Sequence, residues 1–281
     1  MRLGYNTNGL AHHDPFGALA LLAEIGYQSV ALTLDHGPLN PFADDWDRQR
    51  KRLKSALNGF GMTSVIETGA RFLLDTAVKH EPTLVSAKAE DRQRRIQFLH
   101  KAIDAAAFLG SGCVSLWSGV VRDDTAENEV WDRLVPALQI VLHDAHDHGV
   151  TIGFEPEPGM FIDTMARFAE LQERLNAPKL KLTLDIGHLH CLGELPIADY
   201  IRKWKGEIVN IHIEDMRAGV HEHLMFGDGE MDFPPIIAAL RQANYRGGIH
   251  VELSRHSHEG PAAAQRAFDF LSPLVKRQLP E

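Results

Sequence analysis

An α/β fold of the (β/α)8 (TIM) barrel class, in a single domain over residues 1–281, is predicted by three features of this sequence. Short runs rich in Val, Ile and Leu alternate with amphipathic segments of helical length, the pattern of crossover units in a parallel sheet. The alternation repeats eight times, and eight units in this length suit a closed barrel, whose usual size is about 250 residues. Finally, Gly4-Tyr5-Asn6-Thr7-Asn8-Gly9 lacks the glycine spacing of a dinucleotide fingerprint, which leaves a doubly wound open sheet as the runner-up.

The predicted strands are Leu3 to Thr7, Ser29 to Leu34, Thr63 to Glu67, Cys113 to Trp117, Thr151 to Glu155, Lys181 to Asp185, Ile208 to Ile213 and Gly248 to Leu253. Each is short and centrally apolar, as a strand covered on both faces should be. The helices expected between them are Asp14 to Ile25, Trp46 to Phe60, Asp91 to Leu109 and Glu127 to His148, then Asp163 to Leu175, Pro196 to Trp204, Phe233 to Ala243 and Ala262 to Val275. Gly26, Gly61, Gly110 and Gly149 follow four of these helices, where a left-handed residue stops a helix and turns the chain.

Composition narrows the function. With 44% hydrophobic and 24% charged residues and no strongly biased stretch, the chain should fold from end to end. The start, Met1-Arg2-Leu3-Gly4, has no apolar leader and no run nears the ~20 residues of a membrane span, so a cytoplasmic, membrane-free protein is expected. Cys113 and Cys191 are too few for a disulfide framework or a thiolate metal site and read as small buried residues. A net charge of −9 disfavours nucleic acid, whose affinity rests on Lys and Arg neutralising phosphates.

Barrel enzymes build their sites where strands end, and here four consecutive strands finish on chemistry-bearing residues: Glu155-Pro156-Glu157, Asp185-Ile186-Gly187-His188, His212-Ile213-Glu214-Asp215 and His250-Val251-Glu252. Taken singly, each can be a solvated or capping residue. Several carboxylates at one barrel end would repel unless a cation or shared protons offset them. Glu155, Asp185, His212 and Glu252 supply three carboxylates and one imidazole, a hard set suited to one Mn²⁺, Mg²⁺ or Co²⁺ per chain, with Zn²⁺ as a further option. Glu157 shares strand parity with Glu155 if the strand continues through Pro156. Glu67, Trp117, Asp35, His36, Arg71, His12 and Asn6 fall at or just past the earlier strand ends and could line a pocket for a small polyol, Arg71 being placed to neutralise Glu67. Arg217 could meet a substrate hydroxyl or phosphate.

These strand ends resemble the sugar isomerase and epimerase superfamily of xylose isomerase-like barrels, which includes ketose 3-epimerases, hydroxypyruvate isomerase, inosose dehydratase and an endonuclease IV branch. The resemblance covers essentially the whole chain, its specific motifs lying between Glu155 and Glu252. It implies that Glu155, Asp185, His212 and Glu252 bind the metal, that Glu155 and Glu252 double as catalytic acid and base, and that His188 reaches a substrate oxygen. The segment from His221 to Phe233 resembles the loop after strand seven, with His223 as a ligand or substrate contact. In the endonuclease branch this loop carries Asp-x-His, and strands three and four carry histidines; here His221, Glu67 and Trp117 stand instead, against a trinuclear zinc site. Homo-oligomers are common among such barrels, and one is expected by that analogy.

The leading expectation is a metal-dependent isomerase or epimerase moving a proton of a small sugar or hydroxycarbonyl compound through an enediolate. A dehydratase of inosose or dehydroshikimate type is the alternative on the same scaffold. Less favoured are an endonuclease IV-like phosphodiesterase and a barrel that binds a metabolite without catalysis.

Overall fold

A computed structural model describes residues 1–175 and 180–276. The first half of the chain runs β1 (Arg2–Asn6), α1 (Pro15–Ile25), β2 (Ser29–Thr33), α2 (Trp46–Phe60), β3 (Thr63–Glu67), α3 (Ala89–Leu109), β4 (Val114–Leu116) and α4 (Glu127–Asp147). It continues through β5 (Ile152–Phe154), α5 (Met165–Leu175), β6 (Leu180–Asp185), α6 (Ile186–Cys191), α7 (Ile197–Trp204), β7 (Ile208–Ile213), β8 (Asp215–Arg217), β9 (Val220–Leu224), α8 (Phe233–Gln242), β10 (Gly248–Val251) and α9 (Gly260–Lys276). Eight strands close into a parallel barrel in the order β1-β2-β3-β4-β5-β6-β7-β10, and β8 and β9 form a separate antiparallel hairpin.

The expected barrel strands are all present, with no end moved by more than two residues. Local chemistry sets several boundaries. Asp14 is not helical but caps α1, accepting hydrogen bonds from the Phe16 and Gly17 amides at 3.1 Å, which satisfies two of the donors every helix start leaves open. Gly26 and Gly110 end α1 and α3 with φ of 113° and 75°, a conformation that suits glycine. Neither α6 nor the β8–β9 hairpin was expected. Among the described residues no helix is long and apolar enough to cross a membrane. Cys113 and Cys191 are buried, as expected.

The chain divides into two compact units. One comprises Met1–Leu32, Leu53–Ser64 and the chain from Thr183 onward. In it, Gly4 of β1 is level with Ser29 of β2 and His250 of β10, and His250 is level with His212 of β7. The other comprises Thr33–Arg52 and Val65–Leu182, where Ile66 pairs with Val114, and Leu116 with Phe154, which in turn pairs with Leu182. There α3 and α4 bury Phe98, Leu99, Ile103, Leu134 and Leu138, each such side chain contributing about 1.5–3 kcal/mol.

In the first unit the inward layer departs from the branched aliphatics that usually fill a barrel. Asn210, His212 and His250 are all 0–1% exposed. His250 has room only because its neighbours lack side chains: a Cβ on Gly4 would lie 2.3 Å from His250 Cδ2, and one on Gly248 2.4 Å from His250 Cε1. Burial pushes the His250 pKa down to about 3, so the ring is neutral. Gly4→Ala should therefore destabilise the protein by about 1–3 kcal/mol through overpacking, measured by urea denaturation. His250→Ala in the same chain should recover part of that loss; strictly additive effects of the two changes would refute this account of Gly4.

Candidate active site

Asp185 is both the last residue of β6 and the cap of α6, because the strand runs directly into the helix. Its Oδ1 accepts the His188 amide at 2.9 Å, which turns Oδ2 away from the helix. His188 Nε2 lies 3.5 Å from that Oδ2, and His212 Nδ1 lies 4.0 Å from it. On the other side His212 Nδ1 is 2.9 Å from Glu252 Oε2, while Glu252 Oε1 accepts from Asn8 Nδ2 at 2.7 Å. Asp185, His212 and Glu252 each present a ligand atom within 4.8 Å of the others.

The charges in this group are unequally held. Burial by itself would raise both Asp185 and Glu252. His188, His223 and His212 outweigh it at Asp185 and keep that carboxyl below its ordinary range. At Glu252 the charge and hydrogen bond of His212, then His223 and Asn8, do the same and hold the group well below it. Glu214, next along from β7, goes the other way: burial, then the charge of Asp185, push it well above the usual carboxylate value. Its carboxyl occupies space left by Gly187, where a Cβ would stand 2.0 Å from Glu214 Oε1. The third place of the Asp185-Ile186-Gly187-His188 motif thus leaves the volume that the Glu214 carboxyl fills.

The hairpin supplies a second group. On β9, His221 and His223 share a face by the two-residue period of a strand. His221 Nε2 is 3.1 Å from His188 Nε2, and the three rings of His188, His221 and His223 offer nitrogens within 4.8 Å of one another. His223 Nδ1 is 3.1 Å from the Glu252 carbonyl and 3.8 Å from Glu214 Oε2. Burial opposes a charge on His223, but Glu214, Glu252 and Asp185 prevail and raise its pKa well above the ordinary value. Burial takes His188 down to about 4. Asp215 fixes the hairpin's return, accepting the amides of Met216, Gly227 and Met231 at 2.8–3.1 Å.

A divalent ion fits these residues. Asp185 Oδ2 and both Glu214 oxygens are buried and receive no hydrogen bond among the described residues, an arrangement that is costly unless a cation or proton offsets it. A set of oxygens with one imidazole is the chemistry of a hard or borderline divalent ion.

In the second unit, Glu155 directly follows β5, is buried, and donates its amide to Leu116 O at 2.8 Å. β5 ends at Phe154 rather than continuing through Pro156, yet Glu155 and Glu157 still bring carboxylate oxygens within 4.8 Å of each other. Trp117 is buried under the Arg95 guanidinium, 4.4 Å from the ring centre, with the His80 ring edge-on at 5.5 Å. Glu67 is buried at the end of β3. Arg71, expected to neutralise Glu67, instead pairs with Asp35 at 2.9 Å, since Asp35 lies in the neighbouring turn and reaches the guanidinium side-on. Arg217 is exposed and donates to Asp228 O at 2.9 Å, stitching the hairpin to its loop.

Three contributors were not singled out from the sequence. Asn8 reaches Glu252, whereas Asn6, read as a pocket-lining candidate, accepts the Asn8 amide at 3.1 Å and so turns the chain. Glu214 stood within the strand-seven end segment but was given no role of its own. His221 was weighed only as a replaced aspartate, although Val220-His221-Glu222-His223-Leu224 has the alternation of a strand, with Glu222 on the opposite face bound to Arg255 at 3.0 Å.

A family model described as xylose isomerase-like TIM barrel matches residues 19–274. L-ribulose-5-phosphate 3-epimerase UlaE of Shigella flexneri serotype 5b is 27% identical over 248 residues, covering 87% of this chain and 84% of that protein. The protein of the same name from Salmonella paratyphi C is 26% identical over 247 residues, again covering 87% and 84%. Among solved structures, an L-ribulose 3-epimerase matches with a TM-score of 0.78 at 19% identity, over 98% of this chain and 94% of that one. The 3-keto-D-glucoside 4-epimerase YcjR of E. coli matches with 0.78 at 17%, over 99% and 100%. At such identities the structural matches carry the fold alone. The breadth of the family match, joined to the closed parallel barrel, places the chain: it belongs to the xylose isomerase-like TIM barrel family.

Proposed function

We propose that this chain is a divalent-metal-dependent epimerase of a small ketose or ketose phosphate. The observation that carries the reading is the bracketing of His212 Nδ1 between Glu252 and Asp185, both buried enough for their charges to matter. The names of the curated relatives, 3-epimerases of a ketose phosphate, support the substrate class.

In this reading Asp185, His212 and Glu252 hold one ion, Mn²⁺, Mg²⁺ or Co²⁺ by donor type, and Glu155 is the fourth donor. When bound, the ion supplies Lewis acidity to the carbonyl and neighbouring hydroxyl oxygens. Inverting the carbon beside a ketone requires a base to take its proton from one face, leaving an enediolate, and an acid to return a proton to the other. Glu252 is suited to act as the base, because His212 and Asn8 hold it ionised and fix its direction. Glu155 is assigned the part of the acid. His188, neutral through burial, can donate to or accept from a substrate hydroxyl. His223, Glu157, Trp117 and Glu67 are assigned to the walls of the sugar pocket.

Glu252→Gln should reduce wash-in of solvent deuterium at the carbon beside the ketone by about 10²-fold or more, followed by NMR with L-ribulose 5-phosphate and with free L-ribulose; exchange at the wild-type rate would exclude Glu252 as the base. Metal content is the second expectation: protein purified without chelator should carry about one ion per chain, as one such donor set predicts, and Asp185→Ala and Glu155→Gln should both lower it. Failure of the wild type to bind any of these ions or Zn²⁺ after reconstitution would sink the mechanism.

A further inference from the structure

Behind His212 lies a run of buried polar groups that proton transfer to a sugar does not call for. Asn210 Nδ2 is 3.2 Å from His212 Nε2, Asn210 Oδ1 is 2.8 Å from His250 Nδ1, and His250 Nε2 is 2.8 Å from Ser29 Oγ. Ser29 Oγ accepts in turn from Thr63 Oγ1 at 3.1 Å, and the Thr63 hydroxyl also reaches Gln28 O at 3.4 Å. Ser29, Asn210, His212 and His250 are each 2% exposed or less. Aliphatic side chains would fill such a layer without any polar group to satisfy, and two glycines are kept bare so that His250 fits.

The run has a direction. With the carboxamide as it stands, each donor meets an acceptor in one sense only. Thr63 donates to Ser29, Ser29 to His250 Nε2, His250 Nδ1–H to the Asn210 carbonyl, Asn210 N–H to His212 Nε2, and His212 Nδ1–H to Glu252. In this sense both imidazoles carry a proton on Nδ1 and present Nε2 as an acceptor. A half-turn of the Asn210 carboxamide reverses every link, because the hydroxyls can rotate and a carboxamide presents a donor at one end and an acceptor at the other. His212 Nε2–H then donates to the Asn210 carbonyl, Asn210 N–H to His250 Nδ1, His250 Nε2–H to Ser29, Ser29 to Thr63, and Thr63 to Gln28 O. The two senses differ at the far end: in the first, His212 Nδ1 carries a proton toward Glu252, and in the second it presents a lone pair toward Asp185 and Glu252.

We propose that Asn210 and His250 are positioning residues that, through this hydrogen-bond wire, decide which ring nitrogen of His212 carries the proton and hence whether Nδ1 can bind a cation. The proposal rests on the reading of His212 as a metal ligand. It adds that the ligand is switched by a carboxamide turning in place. Outer partners that orient a ligating imidazole commonly change metal affinity by about 10–100-fold when removed.

The test uses the full-length chain labelled with ¹⁵N at histidine, with Zn²⁺ as a diamagnetic probe. The His212 ring resonances are identified by their loss in His212→Asn. In chelator-treated wild type, ring ¹⁵N shifts should show the Nδ1–H form, and Zn²⁺ should convert it to the Nε2–H form. Asn210→Asp, whose carboxylate accepts from both imidazoles, should show Nε2–H before any metal is added and bind Zn²⁺ at least as tightly as wild type by calorimetry. Asn210→Leu should bind it about 10–100-fold more weakly. Wild-type affinity in a folded Asn210→Leu protein, or the same His212 tautomer with and without Zn²⁺, would overturn the proposal. If Asn210→Leu does not fold, the wild-type and Asn210→Asp tautomers decide alone. If the wild type binds no ion, the proposed function fails, and the wire is judged by those two tautomers; an identical tautomer in both overturns it as well.

Discussion

Three carboxyl groups, Asp185, Glu214 and Glu252, are gathered about two imidazoles, His212 and His223, in a region where water cannot dilute their charge. Much of the first unit is arranged around that imbalance. Asp185 spends one oxygen on capping α6 and leaves the other without a donor. Glu214 is forced toward its neutral form by burial and by Asp185. Glu252 stays ionised because His212 and Asn8 hold it. In the proposed reading a divalent ion would offset the surplus charge, which favours a cation over an anion.

The glycines near the site follow from this arrangement. Gly187 yields its side-chain volume to the Glu214 carboxyl, Gly229 yields its own to Asp215, and Gly4 and Gly248 make room for His250. In each case a bare backbone position admits a polar group to a layer that aliphatic residues would otherwise fill. The barrel therefore gives up some apolar burial to carry a connected polar network, and such networks hold a unique arrangement only when their members are satisfied.

The hairpin plays a different part. The barrel strands set Asp185, His212 and Glu252 by register, but β9 brings His221 and His223 in from an insertion between β7 and α8. Asp215 ties the return of that insertion through three amides, so the imidazoles are held by a braced ribbon rather than a free loop. A barrel of this kind varies its chemistry through such insertions while its strand ends remain in place.

Much of this was legible in the sequence. Periodicity and glycine punctuation gave all eight barrel strands to within two residues, because strands covered on both faces must be short and apolar whatever their partners. The strand-end rule pointed to Asp185, His212 and Glu252, whose ligand atoms lie within 4.8 Å of one another, because the carboxyl ends of parallel barrel strands lie on one side. The β8–β9 hairpin reads as a loop in the sequence, since five residues of alternating polar and apolar character are a weak signal beside a Gly-x-Gly turn. Asn8 yields to Asn6, two residues earlier, in any reading by strand ends, because a short turn of 3₁₀ helix moves the functional carboxamide past the strand. Arg71 pairs with a different carboxylate from the one expected, because nearness along the chain does not give the direction of a long flexible side chain. Sequence alone thus determined the architecture and the donor types at the strand ends, which depend on local periodicity. Only the tertiary structure decided which buried polar groups meet, that Glu214 lies under Gly187 and that Ser29, His250 and Asn210 line up behind His212, because such contacts join strands far apart in the chain and depend on register and missing side-chain volume.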